Sequence, residues 1–528
     1  MELDKDIRST QEVRDLVKKA KEAQLEFKHY NQSQVDKIIK AMADAGFAQS
    51  ERLAKMAHEE TGFGKVEDKI TKNQFGSRDV YNSIKDLKTV GVIDIKEGGK
   101  VVKIAEPMGV VAALIPSTNP TSTAFFKALI SLKTRNSIVV SPHPKAVACT
   151  SEALQIMTDA AISAGAPKDL IQCMTTPTLE GTEALMKHND IAIILATGST
   201  PMVKAAYSAG TPAYGVGSGN VPSFIERSAN YEKAVLDIIF GTTFDNGTLC
   251  SSEQAMIVDR PIVEKVRKFA QASGCYFTSV EEKRKLEKAV INKGRINAEI
   301  VGKSANFIAK YAGFSVPEST KVLISECKSV GEEEPLSAEK LSPILAFYAV
   351  DGWLEGCHKC IDLLNFGGIG HTMSIHSNDQ EIIMKFALEK PAFRIIVNSP
   401  ASMGAVGYTT ALDPSMTLGV GTWGGSIISE NVTAKHLMHV KTLAFEVKQL
   451  NKGSSVNSLG SSQVGASFSA EGSFIQQIED RLRARAGNPI HSRENEVGNL
   501  NKPEKKSHKL GSGISESEVQ KIIREFNS

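Results

Sequence analysis

The chain has 528 residues, 41% of them hydrophobic and 23% charged, with a formal net charge of +2; this predicts a soluble protein of about two to four domains and gives no electrostatic case for nucleic acid or an anionic membrane. Seven cysteines at irregular spacings make no disulfide framework. The N-terminus, Met1-Glu2-Leu3-Asp4-Lys5-Asp6, is charged from its start, unlike a secretory signal, and no apolar run nears the ~20 residues that span a bilayer, so a reducing, cytoplasmic setting is expected.

Residues 11–60 carry helical periodicity, through Val13, Leu16, Val17, Ala20 and Ala23 and then Val35, Ile38, Ile39, Met42 and Ala43. Around Glu97-Gly98-Gly99-Lys100 the period falls to two: Val90 and Val92, then Val102 and Ile104, flank a glycine pair and predict a hairpin that serves as a surface flap or an oligomerisation arm. From 107 the chain alternates strand and helix. Gly109–Ile115 is a continuous apolar run, as in a strand buried on both faces. A helix over 124–134, a strand over 137–140 and a helix over 146–164 follow. Strand 170–174, helix 181–187, strand 191–196 and helix 201–209 complete the series. Repeated βα units of this length predict a doubly wound parallel sheet with ligand loops at the strand C-termini. Those loops are 116–120, 141–145 and 197–200, all rich in small polar residues whose amides can approach a phosphate.

A second α/β region is expected from about 231 to about 430. Near its start, Phe244-Asp245-Asn246-Gly247-Thr248-Leu249-Cys250-Ser251-Ser252-Glu253-Gln254 sets a cysteine in a loop between a helical run and the strand-like 255–258. Small, polar flanks leave the sulfur approachable, which suits a nucleophile held on a rigid connection. On the residues alone, a small side chain filling a tight turn is equally allowed. Gly419-Val420-Gly421-Thr422-Trp423-Gly424 has dinucleotide spacing but follows no strand, opens no helix and lacks the later acid, so it is rejected. Cys357 and Cys360 fall on one face of a helical run with no second pair, which predicts core packing rather than a metal or redox site. Cys149, Cys173, Cys275 and Cys327 sit in ordinary apolar patterns. His371 and His376 follow glycines in an apolar strand, where a core role is favoured and a site role for His371 is kept open.

Beyond 450 the composition turns to Gly, Ser and Asn, and 447–511 is expected to be a flexible linker. It is interrupted by a weak helical pattern at Phe474, Ile475, Ile478 and Leu482. Ser515-Glu516-Ser517-Glu518 is a capping box, and Val519, Ile522, Ile523 and Phe526 line one face of a helix over 512–528. So short a helix is marginal alone, so it either docks on a partner or folds back on its own domain.

These blocks converge on a known family. Over roughly 11–446 the chain resembles the aldehyde dehydrogenase superfamily, and within it the CoA-acylating branch found in bacterial microcompartments and in the N-terminal half of bifunctional alcohol/aldehyde dehydrogenases. The resemblance is carried by Glu106–Val110, Ile115–Thr123, Leu132–Asn136, Ser141–Pro144, Thr197–Ser199, Phe244–Gln254, Glu339–Pro343 and His439–Lys441. The long 116–123 and 244–254 blocks are the most specific. It implies an α/β aldehyde dehydrogenase-like fold in which 1–87 and 106–230 form a doubly wound cofactor-binding domain, with 405–435 returning near it. An α/β catalytic domain would span 231–404, and a β oligomerisation arm 88–105 and 436–446. A homodimer or dimer of dimers is then expected, since exposed strands seek partners.

The resemblance further implies that Cys250 attacks a short-chain aldehyde, that hydride passes to NAD (NADP being less expected), and that the thiol of coenzyme A releases the acyl group. Thr118 and Asn119 are both carried as candidate oxyanion donors, beside the Cys250 N–H. Glu339 matches the glutamate that holds the nicotinamide ribose, Gly198 and Ser199 match the loop facing the pyrophosphate, and Ser141, Pro142 and His143 match the adenosine-ribose stretch. No metal is implied. Hydrolytic relatives carry a glutamate base where this chain has Tyr214-Gly215-Val216-Gly217-Ser218-Gly219-Asn220, and ungapped matching puts Val216 at that base. Water needs a positioned base, whereas a thiol near pKa ~8.5 is already partly ionised. A pocket without a carboxylate to activate solvent should therefore release acyl-CoA.

The tail resembles the encapsulation peptides that bind microcompartment shell proteins. Bifunctional relatives carry an alcohol dehydrogenase domain there, so this chain is expected not to be one of them. A hydrolytic aldehyde dehydrogenase and a non-catalytic shell-associated scaffold are the alternatives.

Overall fold

The computed structural model describes residues 4–292 and 295–448. The tail helix expected over 512–528, the linker from 449 onward and the 473–486 pattern lie outside the described residues.

The strand Val110–Ile115 shows how the first half is built. All six of its residues are buried, and alternate ones enter different cores. Val110, Ala112 and Leu114 join Val13, Val17 and Ala20 of the helix Lys5–Phe27, while Val111, Ala113 and Ile115 pack with Ile38 and Met42 of Gln32–Ala48 and with Phe125 and Leu129 of Pro120–Lys133. A period-two strand apolar on both faces needs cover on both sides, which is the doubly wound arrangement. The parallel sheet around it runs in the order Ile171–Cys173, Ser137–Pro142, Val110–Ile115, Ile191–Thr197, Ala213–Val216.

A second, seven-stranded parallel sheet runs Cys275–Phe277, Val322–Glu326, Ile344–Val350, Glu253–Asp259, Val221–Ile225, Gly370–His376, Ala392–Val397. It too separates two cores, with Ala255 and Ile257 facing one and Met256 and Val258 the other. Val221–Ile225 falls within the expected cofactor range 106–230 yet pairs deep in this second sheet, so the chain changes sheets at residues 217–220. At that point Ala213–Val216 and Val221–Ile225 follow one another with no helix between them, and nothing in the period of the apolar residues marks the change of sheet.

The ribbon Gly91–Lys96 and Val101–Pro107 is an antiparallel hairpin turning through Glu97–Gly99, and Met438–Ala444 pairs antiparallel with its second strand, from Met438 opposite Pro107 to Ala444 opposite Val101. Val440 and Leu443 on the outer strand are exposed. Residues of 405–435, among them Val406, Met416, Leu418 and Val432, pack into the core of the first sheet. Among the described residues, no helix is long and apolar enough to cross a membrane.

Candidate active site

The C-terminal ends of the first sheet open on a cavity of about 650 Å3. Thr118, Asn119, Ser141, Pro142, His143, Gly198, Ser199, Cys250 and Glu339, the residues singled out from the sequence, all line it, as does Val216.

Cys250 reaches this cavity because of the turn before it. The helix Tyr231–Thr243 ends, and Asp245 (φ 48°) and Asn246 (φ 52°) take left-handed conformations that non-glycine residues rarely adopt. Fully buried Asp245 holds the turn. It accepts from the Lys65 N–H (2.7 Å), Thr248 Oγ1 (2.6 Å), Lys69 Nζ (3.0 Å) and Lys72 Nζ. Burial would raise its pKa, but Lys72 and Lys69 hold the carboxyl below the ordinary value. Cys250 keeps partial exposure towards the cavity, yet burial, with Glu339 adding to it, pushes its thiol up to about 12, against an opposing effect of Arg394.

Glu339 is buried, and burial pushes its carboxyl up to about 7. Its Oε1 accepts the Gly219 N–H at 2.9 Å. A side-chain carbon at Gly219 would collide with the Cys250 carbonyl oxygen and stand 3.1 Å from the His371 ring, so the close passage of the chain there demands glycine. The expectation of a cavity without a carboxylate near the sulfur therefore needs correcting. Val216 is buried and apolar as expected, but Glu339 shares the cavity with Cys250 and acts on it electrostatically. The sequence pattern assigned that carboxylate to the cofactor, and only the packing brings it into the cavity that Cys250 lines.

Two buried residues around Cys250 were missed or left open. Arg394 donates to the carbonyls of His371 (2.7 Å), Gly419 (2.6 Å) and Ser429 (3.1 Å), and burial lowers it to about 10. A charge inside the apolar strand Ala392–Val397 was the available signal. His371 contacts Thr372 Oγ1 through Nδ1 (3.0 Å), its Nε2 has no partner, and burial lowers it to about 3, so it is neutral.

On the other side, Ser199 caps the helix Thr200–Tyr207 without using its side chain, with a proline in the first turn; amides there stay open to a phosphate. Ser141 Oγ pairs with Thr182 Oγ1 (2.8 Å), and exposed His143 accepts the Lys145 N–H (3.1 Å). These open amides, the glycine at 198 and the buried carboxylate of Glu339 fit a dinucleotide. Asn119 heads the helix Pro120–Lys133 but spends no side-chain bond on capping it. Its Nδ2 reaches Thr118 Oγ1 (3.0 Å) and, at 3.5 Å, the Thr248 carbonyl.

A much smaller cavity, about 10 Å3, abuts the Cys250 loop at Leu249 and is walled by Phe75, Phe244, Met403, Val406, Tyr408 and Met416, together with Thr71 and Lys72. Gly419–Gly424 forms no strand–helix junction, and Cys357 and Cys360 are buried on the helix Gly352–Phe366, as expected. No metal-holding cluster occurs among the described residues.

The aldehyde dehydrogenase family profile matches residues 6–291. The chain is 47% identical over 438 residues to the bifunctional aldehyde-alcohol dehydrogenase AdhE of Escherichia coli (strain K12), covering 82% of this chain and 49% of that one. It thus spans about half the length of such curated relatives. It is also similar to the crystal structure of an acetylating aldehyde dehydrogenase from Geobacillus thermoglucosidasius, with a TM-score of 0.84 and 52% identity over 85% of this chain and 100% of that one. A propionaldehyde dehydrogenase from the Clostridium phytofermentans fucose utilisation bacterial microcompartment matches with a TM-score of 0.75 and 30% identity over 82% and 97%.

Proposed function

The chain belongs to the aldehyde dehydrogenase family, and from that premise we propose that it oxidises a short-chain aldehyde to the corresponding acyl-CoA through a thioester on Cys250. The observation that carries this reading is the single cavity that joins Cys250 to Asn119 on one side and to Ser199 and Glu339 on the other, with apolar Val216 where hydrolytic relatives have their base.

In this reading Cys250 adds to the aldehyde carbon as a thiolate, which the positive charge of Arg394 favours. The oxygen made anionic is received by Asn119 Nδ2 and the Cys250 N–H, with Thr118 Oγ1 orienting the amide; donors fixed before charge develops are what such a step needs. NAD, when bound, accepts the hydride. The acyl group left on sulfur passes to the thiol of coenzyme A. The small apolar cavity beside Leu249 has room for about one water-sized group, which supports it as the seat of the terminal methyl of a short aldehyde. NAD is favoured over NADP.

Turnover of C2–C6 aldehydes with NAD or NADP, with and without coenzyme A, tests this directly. NADH formation that depends on coenzyme A and yields acyl-CoA is expected, and Cys250→Ala should abolish it. A Cys250→Ala protein with full function would instead support the scaffold alternative. A second reading, hydrolysis to the free acid, is favoured by one observation, the presence of Glu339 in the same cavity. Free acid as the main product, lost on Glu339→Gln, would establish it.

Encapsulation and self-association belong to the same proposal. The amphipathic pattern of 512–528 supports docking to a shell protein, as does the likeness to a microcompartment propionaldehyde dehydrogenase. Deletion from about residue 510 should leave turnover intact and abolish co-purification with shell. The exposed outer strand Met438–Ala444 supports a homo-oligomer, checked by sedimentation.

A further inference from the structure

We infer that Lys72 is a positioning residue for the reaction at Cys250, fixing which end of the Asn119 carboxamide faces the developing oxyanion. The inference rests on the reading of Asn119 as an oxyanion donor. The oxygen and nitrogen of an asparagine amide are nearly alike in shape, so its orientation is decided by its partners. Lys72 Nζ donates to Asn119 Oδ1 at 2.6 Å. An ammonium has donors only, so this contact commits Oδ1 to Lys72 and turns Nδ2 the other way. Of the Nδ2 hydrogens, one reaches Thr118 Oγ1 and the other makes only the long 3.5 Å contact with the Thr248 carbonyl. That second hydrogen is held loosely enough to turn to a better acceptor.

What holds Lys72 explains why the device is tied to the nucleophile. Lys72 and Lys69 sit one turn apart on the helix Val66–Gln74, both buried, and both meet the Asp245 carboxylate, five residues before Cys250. Both ammonium groups also approach the Thr118 carbonyl, at 3.3 and 3.4 Å. One buried ionic cluster thus sets the strained turn that presents the sulfur and the loop that presents the amide. Removing Lys72 leaves Asp245 still paired with Lys69, so the turn keeps a counter-ion while the amide loses its guide.

The test is a double-mutant cycle on the full chain with Lys72→Met and Asn119→Ala, read as kcat and KM for the aldehyde. Iodoacetamide alkylation of Cys250 and the melting temperature serve as controls. Asn119→Ala is expected to lower kcat by roughly 10²–10³-fold. Lys72→Met should lower kcat by roughly 10-fold or more with little change in KM, and should add nothing in the Asn119→Ala background. Lys72→Gln, whose amide can still donate, should recover part of the loss, and it stands in if Lys72→Met does not fold. An unchanged kcat in Lys72→Met, or losses that simply multiply, would overturn the positioning role while leaving Asn119 as donor. An unchanged kcat in Asn119→Ala would overturn the oxyanion assignment itself, and the role of Lys72 with it.

Discussion

The Gly219 N–H donates to Glu339 Oε1 at 2.9 Å, at the point where the chain passes too close to the Cys250 carbonyl for any side chain. One backbone amide thus steadies a carboxylate that burial has pushed up to about 7. A ligand whose hydroxyls donate to that carboxylate favours its ionised form. NAD affinity should therefore rise as the pH passes through about 7 and then level off, with proton release below that point. Calorimetric titration in buffers of different ionisation enthalpy measures both, and Glu339→Gln should flatten the profile. An affinity independent of pH in the wild type would contradict the assignment of Glu339 to the cofactor.

Arg394 predicts the reactivity of the sulfur. Its charge is the larger of two influences that oppose burial and Glu339 at Cys250, the other being a backbone hydrogen bond. Arg394→Met should slow iodoacetamide alkylation at neutral pH, about tenfold for each unit by which the thiol pKa rises. Arg394→Lys loses several of the carbonyl contacts but retains the charge. Both variants should melt earlier, and only the methionine should lose alkylation rate. Equal loss in both would mean that Arg394 matters by its hydrogen bonds alone.

Glu253 predicts how stability varies with pH. It is fully buried, its Oε1 accepts the Ala401 N–H at 2.6 Å, its Oε2 has no partner, and burial pushes the carboxyl up to about 8. A raised folded-state value means that the stability of the protonated form is complete below the unfolded value near 4.5 and is lost as the pH rises through about 8. Glu253→Gln removes that titration. The melting temperature of the variant relative to the wild type should climb between about pH 5 and about pH 9, by roughly a few degrees. A constant difference would show that the carboxyl is not protonated in the fold.

Met403 predicts chain-length preference. It walls the small cavity with Phe75, Phe244 and Leu249. Met403→Ala should move the optimum from two- and three-carbon aldehydes towards four and five carbons, each methylene being worth roughly 10-fold or more in kcat/KM. A panel of linear aldehydes measures it, and an unchanged order of preference would place the alkyl chain elsewhere.

Much of this was legible in the chain. Val110–Ile115 could only be a doubly covered strand, and the 116–123 and 244–254 blocks pointed to loops that do meet in one cavity. What escaped were pairings across distance. Lys72 reads as one more lysine on a charged amphipathic helix until Asp245, 173 residues away, folds against it. The sheet change at 217–220 is invisible because a strand looks alike in either sheet. Glu339 was found by its motif, but its sharing a cavity with Cys250 depends on separate loops and on no local pattern.

The stretch 217–220 leaves little room for redesign. Gly217 and Ser218 wall the cavity, Gly219 touches both the Cys250 loop and Glu339, and Asn220 is tied to the Ser337 and Leu363 carbonyls. The peptide that carries the chain from one sheet to the other is therefore also part of the reaction vessel. Lengthening that link should leave both sheets intact and still cost turnover, whereas splitting the chain there would also strip the first sheet's core of Met403, Val406 and Leu418.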